Sequence, residues 1–314
     1  MSKAYYFSQS CTSAISLRKI FILTLWRRPD NICYPILLFY HENWQWYSFC
    51  GAMGEAGKKI AAQHNIDKQL KDTIMDSKLT KDMTVGSMVA EDFNRAKTLE
   101  RLGIDYCCHG SDTLETACEK QGLNADDVLA QLDSKDVQGG APDFANWSLD
   151  LLLDYVLKKH HRNFHLHHQE LMQLVEKVAK VHGAHHPELL DVRDAVAASF
   201  EELDSHFAKE ENVLFPQLYE MFDASLEGRE PAPFHCGSIA YPIRQMMLEH
   251  DTTGEAWQHI TELTNNFTTP EDGCASYKLM NQQLRQFFLD LKEHISLENN
   301  LIFPGFLRME QETA

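Results

Sequence analysis

Two stretches of this chain, H-F-A-K-E-E-N-V-L-F-P at 206–216 and H-I-S-L-E-N-N-L-I-F-P at 294–304, hold a histidine, a glutamate, a phenylalanine and a proline in register, 88 residues apart. At almost the same offset, 89 residues, His161 corresponds to His250. The repeat therefore predicts two copies of a helix pair, each giving one histidine and then a histidine and glutamate four residues apart. In a helix such a pair shares one face. That face is also apolar: Val196, Phe200, Leu203, His206, Glu210 and Val213 follow one stripe, and Leu284, Phe287, Leu291, His294, Glu298 and Leu301 follow another. Helical period over 148–182, 187–226 (with a kink at Pro216), 241–267 and 275–301 predicts an all-α fold whose main part is an antiparallel four-helix bundle.

Histidines and glutamates are thus aimed into a core, where an ionised carboxylate is costly unless it is paired or bound to a metal. Four imidazoles and two carboxylates suit iron, and bundle cores use this mixture for di-iron sites. Two irons would each take two histidines and share both carboxylates and an oxo or hydroxo group. Zinc is the rival metal, but its usual four ligands would leave two of the six unexplained. The ligand set read from the repeat is His161, His206, Glu210, His250, His294 and Glu298. His161 is chosen among five histidines of the first helix by its offset. His168 lies on the same stripe (Leu157, His161, Phe164, His168, Leu171, Val175, Val178) and is held in reserve, while His160, His165 and His167 are read as solvated or supporting. Met246 and Met247 are read as core packing, and Glu249 either lines an access path or is a surface acid.

Charge and cysteines bound the setting. With 29 Lys plus Arg against 46 Asp plus Glu, the formal net charge of −17 excludes a nucleic-acid footprint, which needs clustered cations. No apolar run reaches the roughly 18 residues that span a bilayer. Eight cysteines, at 11, 33, 50, 107, 108, 118, 236 and 274, are too sparse for a disulfide scaffold, so a reducing cytoplasm is expected. Cys118, Cys236 and Cys274 are read as structural.

Along the chain, residues 1–77 read as an extension of unknown role and poor order. Its first 50 residues are aromatic-rich, with five cations and two acids, and fit an upstream extension with Met53, Met75 or Met83 as alternative starts. Residues 78–137 read as a small helical domain: 89–102 is one helix stopped by Gly103, and Asn124 caps another through Leu132. Gly139-Gly140-Ala141-Pro142 marks a linker over 138–147, and the bundle fills 148–310.

The small domain carries L-G-I-D-Y-C-C-H-G at 102–110. Adjacent cysteines bridge only as a strained ring, so Cys107 and Cys108 read either as a redox-active, metal-handling or nitrosylatable pair, or as two small buried residues paired by chance. With this motif and the ending H-I-S-L-E-N-N-L-I-F-P, residues 80–310 resemble the iron-sulfur cluster repair di-iron proteins, the Repair of Iron Centres family. That family has a D-Y-C-C-x-G signature, here Asp105, Tyr106, Cys107, Cys108 and Gly110, ahead of a hemerythrin-like domain. The resemblance implies iron ligands at His161, His206, His250 and His294, bridging carboxylates at Glu210 and Glu298, and a cytoplasmic protein that restores clusters damaged by nitric oxide or oxidative stress. Residues 1–75 have no counterpart there, and His168 stands where the family usually has an apolar residue.

Three functions compete. A repair protein would bind or release iron and react with nitric oxide, with Cys107 and Cys108 assisting transfer, as an iron donor more than a turnover enzyme. An oxygen or nitric oxide carrier or sensor would need the bundle but not the cysteine pair. A nitric oxide reductase would use open iron positions and an external electron donor. Expected partners are iron, nitric oxide or dioxygen and damaged iron-sulfur proteins, with neither nucleic acid nor membrane, and a homodimer is left open.

Overall fold

The structure, a computed structural model, describes residues 20–21, 38–39, 47–48, 79–133, 140–235 and 237–313. The chain divides into two units, Met1–Ser77 and Lys78–Ala314. In the first, β1 (Ile20–Phe21), β2 (Leu38–Phe39) and β3 (Tyr47–Ser48) pair antiparallel in that order, with Ile20 opposite Phe39 and Leu38 opposite Ser48. Two-residue strands are too short to print an alternation in the sequence. The expected poor order of the extension falls on residues outside the described ones, as do residues 138 and 139 of the expected linker and Cys11, Cys33, Cys50 and Cys236, while the rest of that linker is described and holds a short 3-10 turn at Phe144–Asn146 with Phe144 buried.

The second unit is helical. Where one helix is expected over 89–102, two form, α1 (Val85–Glu91) and α2 (Arg95–Arg101). The Asp92 carboxylate accepts from the backbone and side-chain amides of Asn94, and this local bond competes with the helix. Gly103, at φ +72°, ends α2 as expected. α3 (Leu114–Gln121) and α4 (Ala125–Leu132) come after it, the latter capped by the Asn124 side chain, which accepts from Asp126 and Asp127 N–H.

The four bundle helices come next. α5 comprises Leu149–Tyr155, a π-helical turn at Val156–His161 and Arg162–His182. α6 comprises Glu188–Lys209, a π turn at Glu210–Leu214 and Phe215–Glu227. α7 is Ala240–Leu263, with left-handed backbone at Asn265, Asn266 and Phe267 that ends the helix before the expected 267. α8 comprises Ala275–Leu297, a π turn at Glu298–Ile302 and Phe303–Thr313.

The kink expected at Pro216 takes the form of a π turn, and Pro304 repeats it. A proline ring has no N–H and collides with the carbonyl four residues back, and widening the preceding turn accommodates both defects. The wider turn also rotates the residues beyond Glu210 about the helix axis, so Val213, expected on the inward stripe, is exposed while Leu214 is buried.

Two apolar clusters fill the unit. One joins the small helices to the bundle through Met88, Leu99, Phe200, Trp257, Leu284 and Phe288, and the other gathers Phe144, Leu153, Phe215, Leu218, Phe303 and Phe306. Each such side chain, fully buried, contributes about 1.5–3 kcal/mol. The histidines and glutamates of the repeat lie where one cluster gives way to the other along each helix. Met246 is buried, but Met247 is exposed, because neighbours on a helix point about 100° apart and only one can face the core. No helix among the described residues is long and apolar enough to cross a membrane.

Candidate metal centre

The structure brings His206, Glu210, His250, His294 and Glu298 together, with one ligand atom from each lying within 4.8 Å of all the others. All five are buried. His161, also buried, meets this group with its Nε2 3.4 Å from Glu210 Oε2. Each carboxylate that opens a π turn faces its helical partner: Glu210 Oε2 lies 3.4 Å from His206 Nε2, and Glu298 Oε2 lies 2.8 Å from His294 Nε2 and 3.1 Å from His250 Nε2.

Outer contacts settle where the imidazole protons sit. A carboxylate only accepts, so His206 Nδ1 donates to Glu249 (2.9 Å) and His161 Nδ1 donates to Glu211 (3.0 Å). Asn299 Nδ2 donates to the Cys107 carbonyl (3.1 Å), which turns its Oδ1 towards His250 Nδ1 at 2.9 Å and makes that nitrogen the donor. The Nε2 atoms of His161, His206 and His250 therefore carry lone pairs. Those of His206 and His250 face each other at 3.2 Å, a repulsive contact unless a cation lies between them. Both oxygens of Glu210, Oε1 of Glu298 and Nε2 of His161 have no hydrogen-bond partner among the described residues. Leaving buried carboxylates in this condition costs several kcal/mol each, far more than the roughly 1 kcal/mol of one hydrogen bond.

Protonation states agree. Burial, with Glu298 beside it, holds the Glu210 carboxyl well above the usual range, whereas Glu298, which burial would also raise, is held well below it, chiefly by His294. Two such carboxylates do not both ionise without added positive charge. Burial lowers His206 to about 4 and pushes His161 well below its ordinary value, so both are neutral ligand donors at neutral pH. The donor set fits a metal, and imidazole with carboxylate suits iron.

His168, the reserve ligand, is not brought to the cluster. Its Nδ1 donates to the Phe164 carbonyl (2.9 Å) and its ring stacks on Phe164. It helps line a cleft of roughly 240 Å³ between α5 and α8 that reaches His294. His165 and His167 are exposed, but His160 is buried beside His294, with Glu293 near its Nε2. Three polar neighbours were not legible as such: Glu211, Glu249 and Asn299. Two of them carry a sequence signal, since Glu211 and Asn299 each come directly after a clustered glutamate of the repeat.

Cys107 and Cys108 are free thiols with sulfurs 3.8 Å apart. Asp105 Oδ1 gathers their loop by accepting from both backbone N–H groups and from the Cys107 thiol. The hydrogen bond with Cys108 and burial hold Cys107 well above the ordinary thiol range. Cys108 donates to the His250 carbonyl at 3.4 Å, so the pair rests on the helix that carries a histidine of the cluster.

Comparison with known proteins finds matches for both parts of the second unit. Residues 152–306 match a family model described as the hemerythrin HHE cation binding domain, and residues 81–136 match one described as a domain of unknown function, DUF542. An iron-sulfur cluster repair protein, YtfE, of Pectobacterium atrosepticum is 31% identical over 234 residues, covering 73% of this chain and 99% of the relative. Its namesake in Yersinia pseudotuberculosis is 30% identical over 231 residues, with the same coverage of 73% and 99%. A probable iron-sulfur cluster repair protein of Haemophilus influenzae is 31% identical over 214 residues, covering 67% of this chain and 90% of the relative.

Proposed function

Because the chain belongs to the family of iron-sulfur cluster repair proteins, we propose that it restores iron-sulfur clusters damaged by nitric oxide or oxidative stress by means of a non-haem di-iron centre. His161, His206, His250 and His294 would hold the irons, with Glu210 and Glu298 bridging them. One observation carries this reading: two imidazole lone pairs 3.2 Å apart beside two buried carboxylates, which only a cation makes favourable. Six donors exceed what a single four-coordinate zinc uses. The rings of His206 and His250, 4.9 Å apart, and of His161 and His294, 5.2 Å apart, are natural pairs for one metal each.

Two irons bound there would supply a centre able to take up nitric oxide or dioxygen and to part with iron. The chain's own residues do the positioning. Glu211, Glu249 and Asn299 hold Nδ1 protons so that Nε2 is presented to the site. Phe207 and Phe215 stack on His161, and Phe303 stacks on His250, which keeps water from those faces. The cleft between α5 and α8 offers a small molecule a path to His294. Residues 78–137 would then handle transfer through Cys107 and Cys108, and residues 148–310 would handle the metal, joined by 138–147.

The test is to incubate iron-loaded protein anaerobically with an iron-sulfur enzyme damaged by nitric oxide. Recovery is expected with the wild type and reduced recovery with Cys107→Ala, Cys108→Ala. No recovery from the wild type would sink the repair reading. Full recovery from the double variant would remove the thiols from it, and sustained nitrous oxide production would favour a reductase.

A further inference from the structure

His250 is tied at both ends to the loop that carries the vicinal thiols. Its side chain reaches the loop through Asn299, whose Oδ1 accepts from His250 Nδ1 while its Nδ2 donates to the Cys107 carbonyl. Its backbone carbonyl accepts from the Cys108 thiol. One turn further along α7, the absence of a side chain at Gly254 makes the seat: a Cβ there would lie 2.6 Å from Cys108 Sγ. Asn300 holds the same loop without touching His250, since its Nδ2 donates to the Tyr106 carbonyl, and its Oδ1 occupies a notch left by Gly86 and Gly110.

We propose that Asn299 is a positioning residue that couples metal occupancy of the histidine–glutamate cluster to the seating of Cys108. The proposal rests on the metal reading given above. A metal drawing electron density from His250 Nε2 makes Nδ1–H a stronger donor to Asn299. Hydrogen bonds in a chain polarise one another, so the Asn299 amide becomes a stronger donor to the Cys107 carbonyl. Coupling between sites is reciprocal, so a seated loop favours the metal by the same factor. A single neutral hydrogen bond supports a coupling of roughly two- to tenfold. The asparagine suits this task in a way a carboxylate does not, because it accepts from the ligand and donates to the loop at once.

The full chain, metal-free or loaded with zinc(II) as a redox-silent probe, is treated with iodoacetamide, and alkylation of each cysteine is tracked by peptide mass spectrometry. Cys118 and Cys274 serve as internal references. Metal loading is expected to slow Cys108 alkylation in the wild type roughly two- to tenfold. Asn299→Asp keeps an acceptor for His250 but has no amide donor for Cys107, so the metal dependence of Cys108 should vanish. Asn300→Ala should speed alkylation in both states and keep their ratio. A metal dependence that survives in Asn299→Asp, or is missing from wild type that demonstrably holds zinc, overturns the coupling. Failure of the metal reading shows separately as a chain that takes up no metal. In that event 15N spectra of the metal-free chain still decide: His250 should be the Nδ1–H tautomer in wild type and a mixture in Asn299→Ala, and identical spectra overturn the proposal.

Discussion

The two halves of the bundle keep the same three inner residues, two histidines and a glutamate, but surround them differently. In the first half both Nδ1 protons go to carboxylates, His161 to Glu211 and His206 to Glu249. In the second, His250 turns to the amide of Asn299, and His294 Nδ1 has no partner among the described residues. The differences fall at equivalent places of the repeat: Asn299 stands for Glu211, His160 for Glu249, and Gly254 for His165. His165 itself donates to Glu211 at 3.0 Å, whereas Gly254 leaves room for Cys108. The inner set is the same in both halves, while the outer set differs, and in the second half it reaches the thiol loop. Carboxylate partners raise the basicity of an imidazole ligand, so within each proposed pair the first-half histidine, His206 or His161, should be the stronger donor.

The largest expected effect comes from removing a shared carboxylate. Glu210→Leu should cost metal affinity at least tenfold, yet in the metal-free chain it deletes a buried acid with no partner and should raise stability by about 1–4 kcal/mol. Opposite shifts of melting temperature with and without metal would show this, and a loss of stability in both states would contradict it. Next come the outer partners. Glu249→Gln should weaken metal binding about 10- to 100-fold, more than Asn300→Ala, which touches no ligand. Competition with a chelator measures both, and equal losses would erase the distinction between ligand support and loop support.

Acid should also destabilise the metal-free protein. His206 titrates at about 4 when folded, against an ordinary value of 6.5. Between those values the unfolded chain takes up the proton and the folded chain does not, so the contribution is present above 6.5 and is lost as pH falls towards 4. Burial lowers His160 and His161 in the same sense. Urea midpoints of the metal-free chain should fall across this window, less steeply in His206→Gln, and a flat profile would contradict the assignment. The smallest effect is local: Gly254→Ala should unseat Cys108 and speed its alkylation while metal affinity changes less than tenfold.

Much of the site was legible because the repeat and the helical period are both local properties of the sequence. The register of His206 with His294 pointed to residues that the fold brings together, and the four-residue spacing to Glu210 and Glu298 gave their shared face. What escaped depended on tertiary placement. Nothing local shows that Glu249, one residue before a ligand, turns sideways to the neighbouring helix and reaches His206, or that Asn299 reaches another chain segment. The π turns at Glu210 and Glu298 shift the stripe beyond them, so Val213 was placed inward and is exposed. His168 misled for the opposite reason: its position on the stripe is right, but its ring is spent on the Phe164 carbonyl. The break at Asp92–Asn94 was hidden because a side-chain turn there overrides an otherwise continuous helical pattern.

The central claim is most directly tested by titrating the metal-free full chain with ferrous iron under anaerobic conditions and counting the metal retained after desalting. About two irons per chain are expected, falling to one or fewer in Glu298→Leu. Retention of a single zinc in preference to iron, or of no metal at all, would contradict the account.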